Sequence, residues 1–344
     1  MKSGRKITQQ PDRAGPGVTS AGAGLLLLSV LLIVIAASVG SSGWSSLLVA
    51  RHDPVTWQIV TDIRLPRALG AWLAGGLLGL AGAVAQGLFR NPLADPYLLG
   101  SASGASLGVT AALVWLGASA GAPGWWVPWR LTGAAFVGAV SAVLLTLLLA
   151  RGVASPLRLL LAGVVVGVVL GALSQLLIVM NPEVLLATQT YLMGNTSLVS
   201  WNACQMMAAA LVPCLLIAVA LSPLLDALSL GEATAASLGM SLARGSAALV
   251  GVLAFATAVA VAQTGLIGFV GLAAPHAVRR LVAVTHRHAL WLAGLMGAVL
   301  LLASDTLARS LLAPMELPVG VLTAVLGGAY LLWRMDYDRQ LEGM

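Results

Sequence analysis

The 344-residue chain is 59% hydrophobic and only 9% charged, with a mean hydropathy of +0.96. Soluble domains carry about 25% charged residues, so most of this chain cannot face water and a soluble globular fold is excluded. The net charge of +6 is 18 basic against 12 acidic residues, and the basic ones sit mostly between apolar runs, where they meet lipid headgroups and set orientation rather than hold nucleic acid.

Residues 1–20 read as a basic, polar tail. The first apolar run covers 21–39. A secretory signal peptide competes there, given the basic start and the small residues Ala36-Ala37-Ser38. The leading polar segment is long for one, and later runs continue the same pattern. Further spans are expected at 66–88, 97–116, 131–150, 157–180, 203–222, 245–263, 267–283, 289–311 and 318–334. Each crossing needs roughly 20 apolar residues, and the runs are continuous rather than alternating as barrel strands would be. The expected fold class is an all-α polytopic membrane protein with about ten transmembrane helices. The run at 267–283 contains Pro275 and ends in Arg279-Arg280, so a broken or tilted helix is expected there. One transmembrane domain covers 21–335, with a short tail at 336–344.

That many spans put both termini on one side. Thirteen basic residues then fall on that side: Lys2, Arg5, Lys6, Arg13, Arg90, Arg151, Arg158, Arg244, Arg279, Arg280, Arg287, Arg334 and Arg339. Five fall on the other: Arg51, Arg64, Arg67, Arg130 and Arg309. The excess of basic residues marks the first side as cytoplasmic.

Four features stand out. Arg64 and Arg67 flank a proline at the outer start of the second span, and Arg309 lies at the outer end of the ninth, after Asp305. Charges at the membrane edge are costly and tend to serve a function. Arginines there can receive a partner's carboxylates by bidentate pairing, or pair within the chain, as Asp305 with Arg309 at i, i+4. On the inner side, Arg90-Asn91-Pro92-Leu93-Ala94-Asp95-Pro96 forbids regular helix, which suits either a gate or a rigid turn. Gly163, Gly167 and Gly171 recur every four residues, a bare stripe that permits close packing within one subunit, at a subunit interface or beside a pathway. Between the sixth and seventh spans, Pro223 ends a helix. Ser229 and Glu232 then form a capping box, and Gly239 suits a C′ position. A short Ala-rich cytoplasmic helix is expected, as a protein-docking element or an interfacial connector.

Other chemistry is not encoded. The only lysines are Lys2 and Lys6, so no P-loop exists; nucleotide chemistry would need another polypeptide. Cys204 and Cys214 read as helix packing. His52, His276, His286 and His288 lack ligand spacing within a span, so no metal site is assigned. No nucleophile set suggests catalysis. The mid-bundle lacks the paired acids of a proton-coupled secondary transporter, the competing transport class.

The motifs together resemble the FecCD-type permeases, the membrane subunits of ABC importers for ferric siderophores, haem and vitamin B12. They are R-L-P-R at Arg64–Arg67, A-G-A-V-A-Q at Ala81–Gln86, N-P-L-A-D-P at Asn91–Pro96, L-L-L-A-G at Leu159–Gly163, Y-L-M-G at Tyr191–Gly194, G-F-V-G-L-A-A-P-H-A-V-R at Gly268–Arg279 and E-L-P-V-G-V-L-T-A at Glu316–Ala324. The resemblance implies ten spans in a type II importer fold and a homodimer with the pathway between subunits. It also implies two cytoplasmic ABC ATPase subunits that bind the ATP and Mg, and a periplasmic substrate-binding protein. By the same resemblance, Arg64, Arg67 and Arg309 dock the binding protein, and Asn91 and Leu93 form a cytoplasmic gate. A coupling helix at about 229–243 would engage the ATPase through Ser229, Glu232, Ala233, Leu238 and Gly239. This chain would itself hold no cofactor. Its cargo would be an iron chelate, haem or a ferric siderophore, with vitamin B12 as the alternative. A second gate element before the fifth span departs from the family pattern at Pro156 and Leu157, leaving Ser155.

Overall fold

The computed structural model describes residues 16–40, 43–44, 51–116, 127–153, 156–237 and 241–342. Every expected apolar run contains a helix. In chain order these are α1 (Pro16–Ser38), α2 (Pro54–Ile59), α3 (Leu65–Phe89), α4 (Ser101–Leu116), α5 (Val127–Leu149), α6 (Pro156–Met180), α7 (Leu185–Leu192), α8 (Trp201–Ala220), α9 (Ser222–Ser229), α10 (Glu232–Ser237), α11 (Leu242–Thr264), α12 (Val270–Leu281), α13 (His286–Ser310) and α14 (Val319–Glu342). A two-residue antiparallel pairing, β1 (Val39–Gly40) with β2 (Gly43–Trp44), follows α1.

Among the described residues, seven helical segments are long and apolar enough to cross a membrane, α1, the Pro54–Phe89 unit, α5, α6, α8, α11 and α13. The apolar helices Ser101–Trp115 and Val319–Tyr330 are shorter. The 12-residue α12 rises about 18 Å, well short of a hydrocarbon core of about 30 Å. Pro275 itself lies inside α12, and the break expected around it falls earlier, ahead of the helix. Residues 265–269 leave the helix, with Gly265 at φ 69° and Phe269 at φ 66°. Their backbone is satisfied locally: the Tyr97 hydroxyl donates to Ile267 O at 3.1 Å, and Leu266 N donates to Tyr191 O at 3.4 Å. Irregular backbone survives in a membrane only with such partners.

Three elements depart from the sequence reading. The second span begins earlier, at α2. Asp53 caps α2 by accepting from Val55 N and Thr56 N, and Pro54 occupies its first turn. A π-helical turn at Val60–Arg64 joins α2 to α3. Pro223 starts α9 rather than ending a helix, consistent with proline's place in a first turn. The last helix continues to Glu342, through the segment read as a tail.

The core is built around α3, which is buried along nearly its whole length against α1, α8, α11, α12 and α13. Lipid tails are as apolar as leucine, so helix association depends on close packing rather than on water exclusion. Glycine makes that approach possible. A Cβ at Gly79 would sit 2.2 Å from Ala293 O of α13, and one at Gly82 would sit 1.7 Å from Gly271 O of α12.

The stripe on α6 packs within the chain, against α4 and the turn before it. A Cβ at Gly163 would lie 2.0 Å from Leu98 O, whereas one at Gly167 would make ordinary contacts with Ser103 Oγ at 3.7 Å and Gly100 Cα at 3.9 Å, and one at Gly171 with Ser103 Oγ at 3.9 Å. Space therefore demands glycine at 163 alone. The remainder of α6 presents Val164, Val165, Val168 and Val169 outward, more than half exposed. Gly82→Val should abolish recovery of monodisperse protein in detergent size-exclusion chromatography, while Gly167→Ala should elute as wild type.

Candidate functional sites at the two ends of the bundle

At one end, Arg64, Arg67 and Arg309 come together, and all three are buried, at 7%, 7% and 2% exposure. Helix geometry sets the first two. The π-turn inserts Arg64 beneath the end of α1, and Arg67 follows in the first turn of α3. Arg64 Nη1 donates to Ala37 O and Ser38 O, both at 3.3 Å. Arg309 Nη1 donates to Ala36 O and Val39 O, both at 3.2 Å. The last carbonyls of a helix lack intrahelical donors and carry the negative end of its dipole. Two guanidiniums answer both needs at the end of α1. Gly40 makes room for the first, since a Cβ there would stand 2.5 Å from Arg64 Nη2.

Asp305 sits at the centre, with no exposure. Its Oδ1 accepts from Arg67 Nε at 3.2 Å, from Arg67 Nη2 at 3.1 Å and from the Thr196 hydroxyl. Its Oδ2 lies 3.2 Å from Arg309 Nη2, the i, i+4 pairing read from the sequence. Glu316, ahead of α14, takes the remaining side of Arg67, with Nη1 to Oε2 at 2.8 Å. The arginines expected to form a docking pocket are thus assembled in one place, and their guanidiniums are engaged by this chain. Thr196 and the α1 carbonyls were not legible as part of this cluster, because nothing in their local sequence signals a charged neighbour.

At the opposite end, Arg90 closes α3 in the left-handed conformation at φ 48°. Asn91 then holds a tight turn. Its Oδ1 accepts from Leu93 N at 2.9 Å, and its N donates to Gln86 O at 3.2 Å. Asn91 and Leu93 are both exposed, Leu93 at 61%. Nearby, Gln86 Nε2 donates to Leu272 O at 3.2 Å, and its Oε1 accepts from Arg279, tying α3 to α12.

Ser229 does not stand at the head of α10. Ser229 is the last residue of α9, and its hydroxyl donates back to Asp226 O at 2.6 Å. Gly231, at φ 106°, turns the chain, and α10 starts directly at Glu232. Ala233 lies exposed on α10, whereas Leu238 and Gly239 fall outside the described residues, as does Ser155. A connection the sequence did not reveal anchors this region. Asp226 of α9 accepts from His286 N at 3.1 Å and meets His286 Nδ1 at 2.6 Å, placing a carboxylate at the N-terminus of α13.

Both cysteines are buried and unpaired; Cys204 Sγ contacts Pro66 O at 3.2 Å. Among the described residues, no group of three His, Cys, Asp or Glu side chains could hold a metal ion.

The profile of the FecCD transport family matches residues 24–335. The hemin transport system permease protein HmuU of Yersinia pestis is 36% identical, over 92% of this chain and 95% of its own length. The vitamin B12 import system permease protein BtuC of Salmonella typhimurium is 40% identical, over 90% of this chain and 91% of its own. A solved metal-chelate type ABC transporter in an inward-facing conformation superposes with a TM-score of 0.82 at 32% identity, over 93% of this chain and 99% of that one.

Asp305→Ala should lower stability by about 3–5 kcal/mol, the cost of leaving buried arginines without their counter-ion. Thermal denaturation in detergent would show this as a large drop in Tm, whereas a Tm within a degree of wild type would remove Asp305 from its central position.

Proposed function

The chain belongs to the FecCD transport family as a permease subunit of an ABC importer, and we propose that it carries an iron chelate, haem or a ferric siderophore, across the bacterial inner membrane. The match over residues 24–335 carries the assignment. The similarity to a haem permease and to a metal-chelate transporter supports the cargo. Vitamin B12 is the second reading, favoured by the 40% identity to BtuC.

In the proposed assembly, two copies of this chain enclose the pathway, and both termini face the cytoplasm, in keeping with the distribution of basic residues. Two cytoplasmic ATPase subunits bind ATP and Mg. They push on α10, whose exposed Ala233, Thr234, Ala236 and Ser237 offer a surface of small side chains. Asp226 and His286 pass that motion from α9 to α13. The Asn91 turn, with exposed Leu93, closes the inner mouth. A periplasmic substrate-binding protein docks at the arginine end, where the cluster holds α1, α3 and α13 in register. Alternating access follows from rigid-body motion of these packed units.

Uptake into proteoliposomes tests the assignment. The importer, assembled with its ATPase and supplied with its binding protein, should accumulate haem or a ferric siderophore only with ATP and should stop with vanadate. Accumulation of cobalamin alone would replace the cargo, and accumulation without an ATPase would indicate a secondary transporter. Separately, Ala233→Arg should abolish co-purification with the ATPase while leaving the permease folded, as judged by its elution in detergent. Undiminished co-purification would dissociate α10 from coupling.

A further inference from the structure

The arginine cluster sets a problem for docking. A guanidinium that receives a partner's carboxylate must be reachable, yet Arg64, Arg67 and Arg309 are almost fully buried. A buried arginine also cannot wait unpaired, since an uncompensated buried charge is strongly destabilising. The two carboxylates of the cluster differ in a way that resolves this.

Asp305 is fixed. It has no exposure and is shared by Arg67, Arg309 and Thr196. Glu316 is not fixed. Its side chain is 30% exposed and makes one ion pair, to Arg67 Nη1. It lies in the connection between α13 and α14, beside the exposed Leu311, Leu312 and Met315. The following residue is anchored, with Leu317 N donating to Ala308 O at 3.1 Å. The Glu316 side chain can therefore swing outward without moving the backbone on which it stands. Arg67 meanwhile keeps two donors, Nε and Nη2, on Asp305. Only Nη1 changes partner.

The geometry points to Glu316 as a displaceable stand-in for an acidic side chain of the docking protein. It keeps Arg67 paired until a carboxylate from that protein takes over the same nitrogen. One charge-assisted hydrogen bond is exchanged for another, so the guanidinium never faces the low-dielectric interior alone. Such an exchange adds little net affinity and much positional selectivity, which suits a partner that must release in every cycle. The inference rests on the proposed docking of the binding protein at this end.

Surface plasmon resonance tests it, with the importer assembled in nanodiscs and its substrate-binding protein as the probe. Glu316→Gln removes the competing charge at nearly constant volume and should tighten binding by about five-fold. Arg67→Gln should weaken binding and cancel the gain when combined with Glu316→Gln. Where Arg67→Gln does not assemble with the ATPase, Arg67→Lys serves, because it keeps a charge for Asp305 and lacks the fork needed for a second carboxylate. Unchanged or weaker binding by Glu316→Gln, with Arg67 variants still impaired, would overturn the stand-in and leave docking intact. Binding indifferent to both positions would overturn docking at Arg67 and the stand-in with it.

Discussion

Asp305 is the constraint on which one half of the molecule turns. A carboxylate with no exposure is sustainable near the membrane edge only if cations and hydroxyls surround it. Arg67 from α3, Arg309 from its own helix and Thr196 from the connection before α8 all do so. Because Arg309 also reaches the carbonyls of Ala36 and Val39, the same network fastens the end of α1. Four separated stretches of sequence thus depend on one side chain. Their register is set electrostatically, where apolar packing alone would allow helices to slide.

Elsewhere the fold depends on close approach. The glycines of α3 let α12 and α13 come to backbone contact, and α4 and α5 do the same through Gly104 and Gly138. Contacts of this kind resist deformation, so α3, α12 and α13 form a natural rigid unit. α13 connects the two candidate sites. Its start, at His286, is gripped by Asp226, and its end carries Asp305 and Arg309, about 29 and 35 Å further along the helix. α9 packs on both α13 and α3, and both of these helices run to the arginine end, so the two ends of the bundle are joined by long, closely packed elements. Peripheral helices contrast with it. α5 and α6 leave broad apolar faces outward, available to lipid or to a second copy.

Much of this was legible in residue order. Hydropathy located every long helix, because a span must be apolar for its full length whatever it packs against. The Asn91 turn was legible for an equally local reason: proline removes a donor and restricts the backbone where it stands. Pro275 was a poorer guide, since it lies inside α12 and the break falls earlier, at residues 265–269. Of the short helices only α10 was expected. α7 and α9 are too brief for a hydropathy window, and the polar Thr56, Gln58, Thr61 and Asp62 hide the unit that precedes α3. Ser229, read as a cap, instead ends α9 and donates to Asp226 O in its own last turn, with Gly231 turning the chain ahead of α10.

By itself the sequence determined the class of molecule, the place of each span, the absence of a nucleotide site among its motifs and the family it resembles. These follow from composition and from motifs read along the chain. It named the three arginines but could not say which way they faced. Only the tertiary structure decided that they turn inward onto Asp305, Glu316 and the end of α1. The reason is physical: a charge's partner is chosen by distance in space. Arg67 and Asp305 stand 238 positions apart in the chain and 3.1 Å apart in the fold.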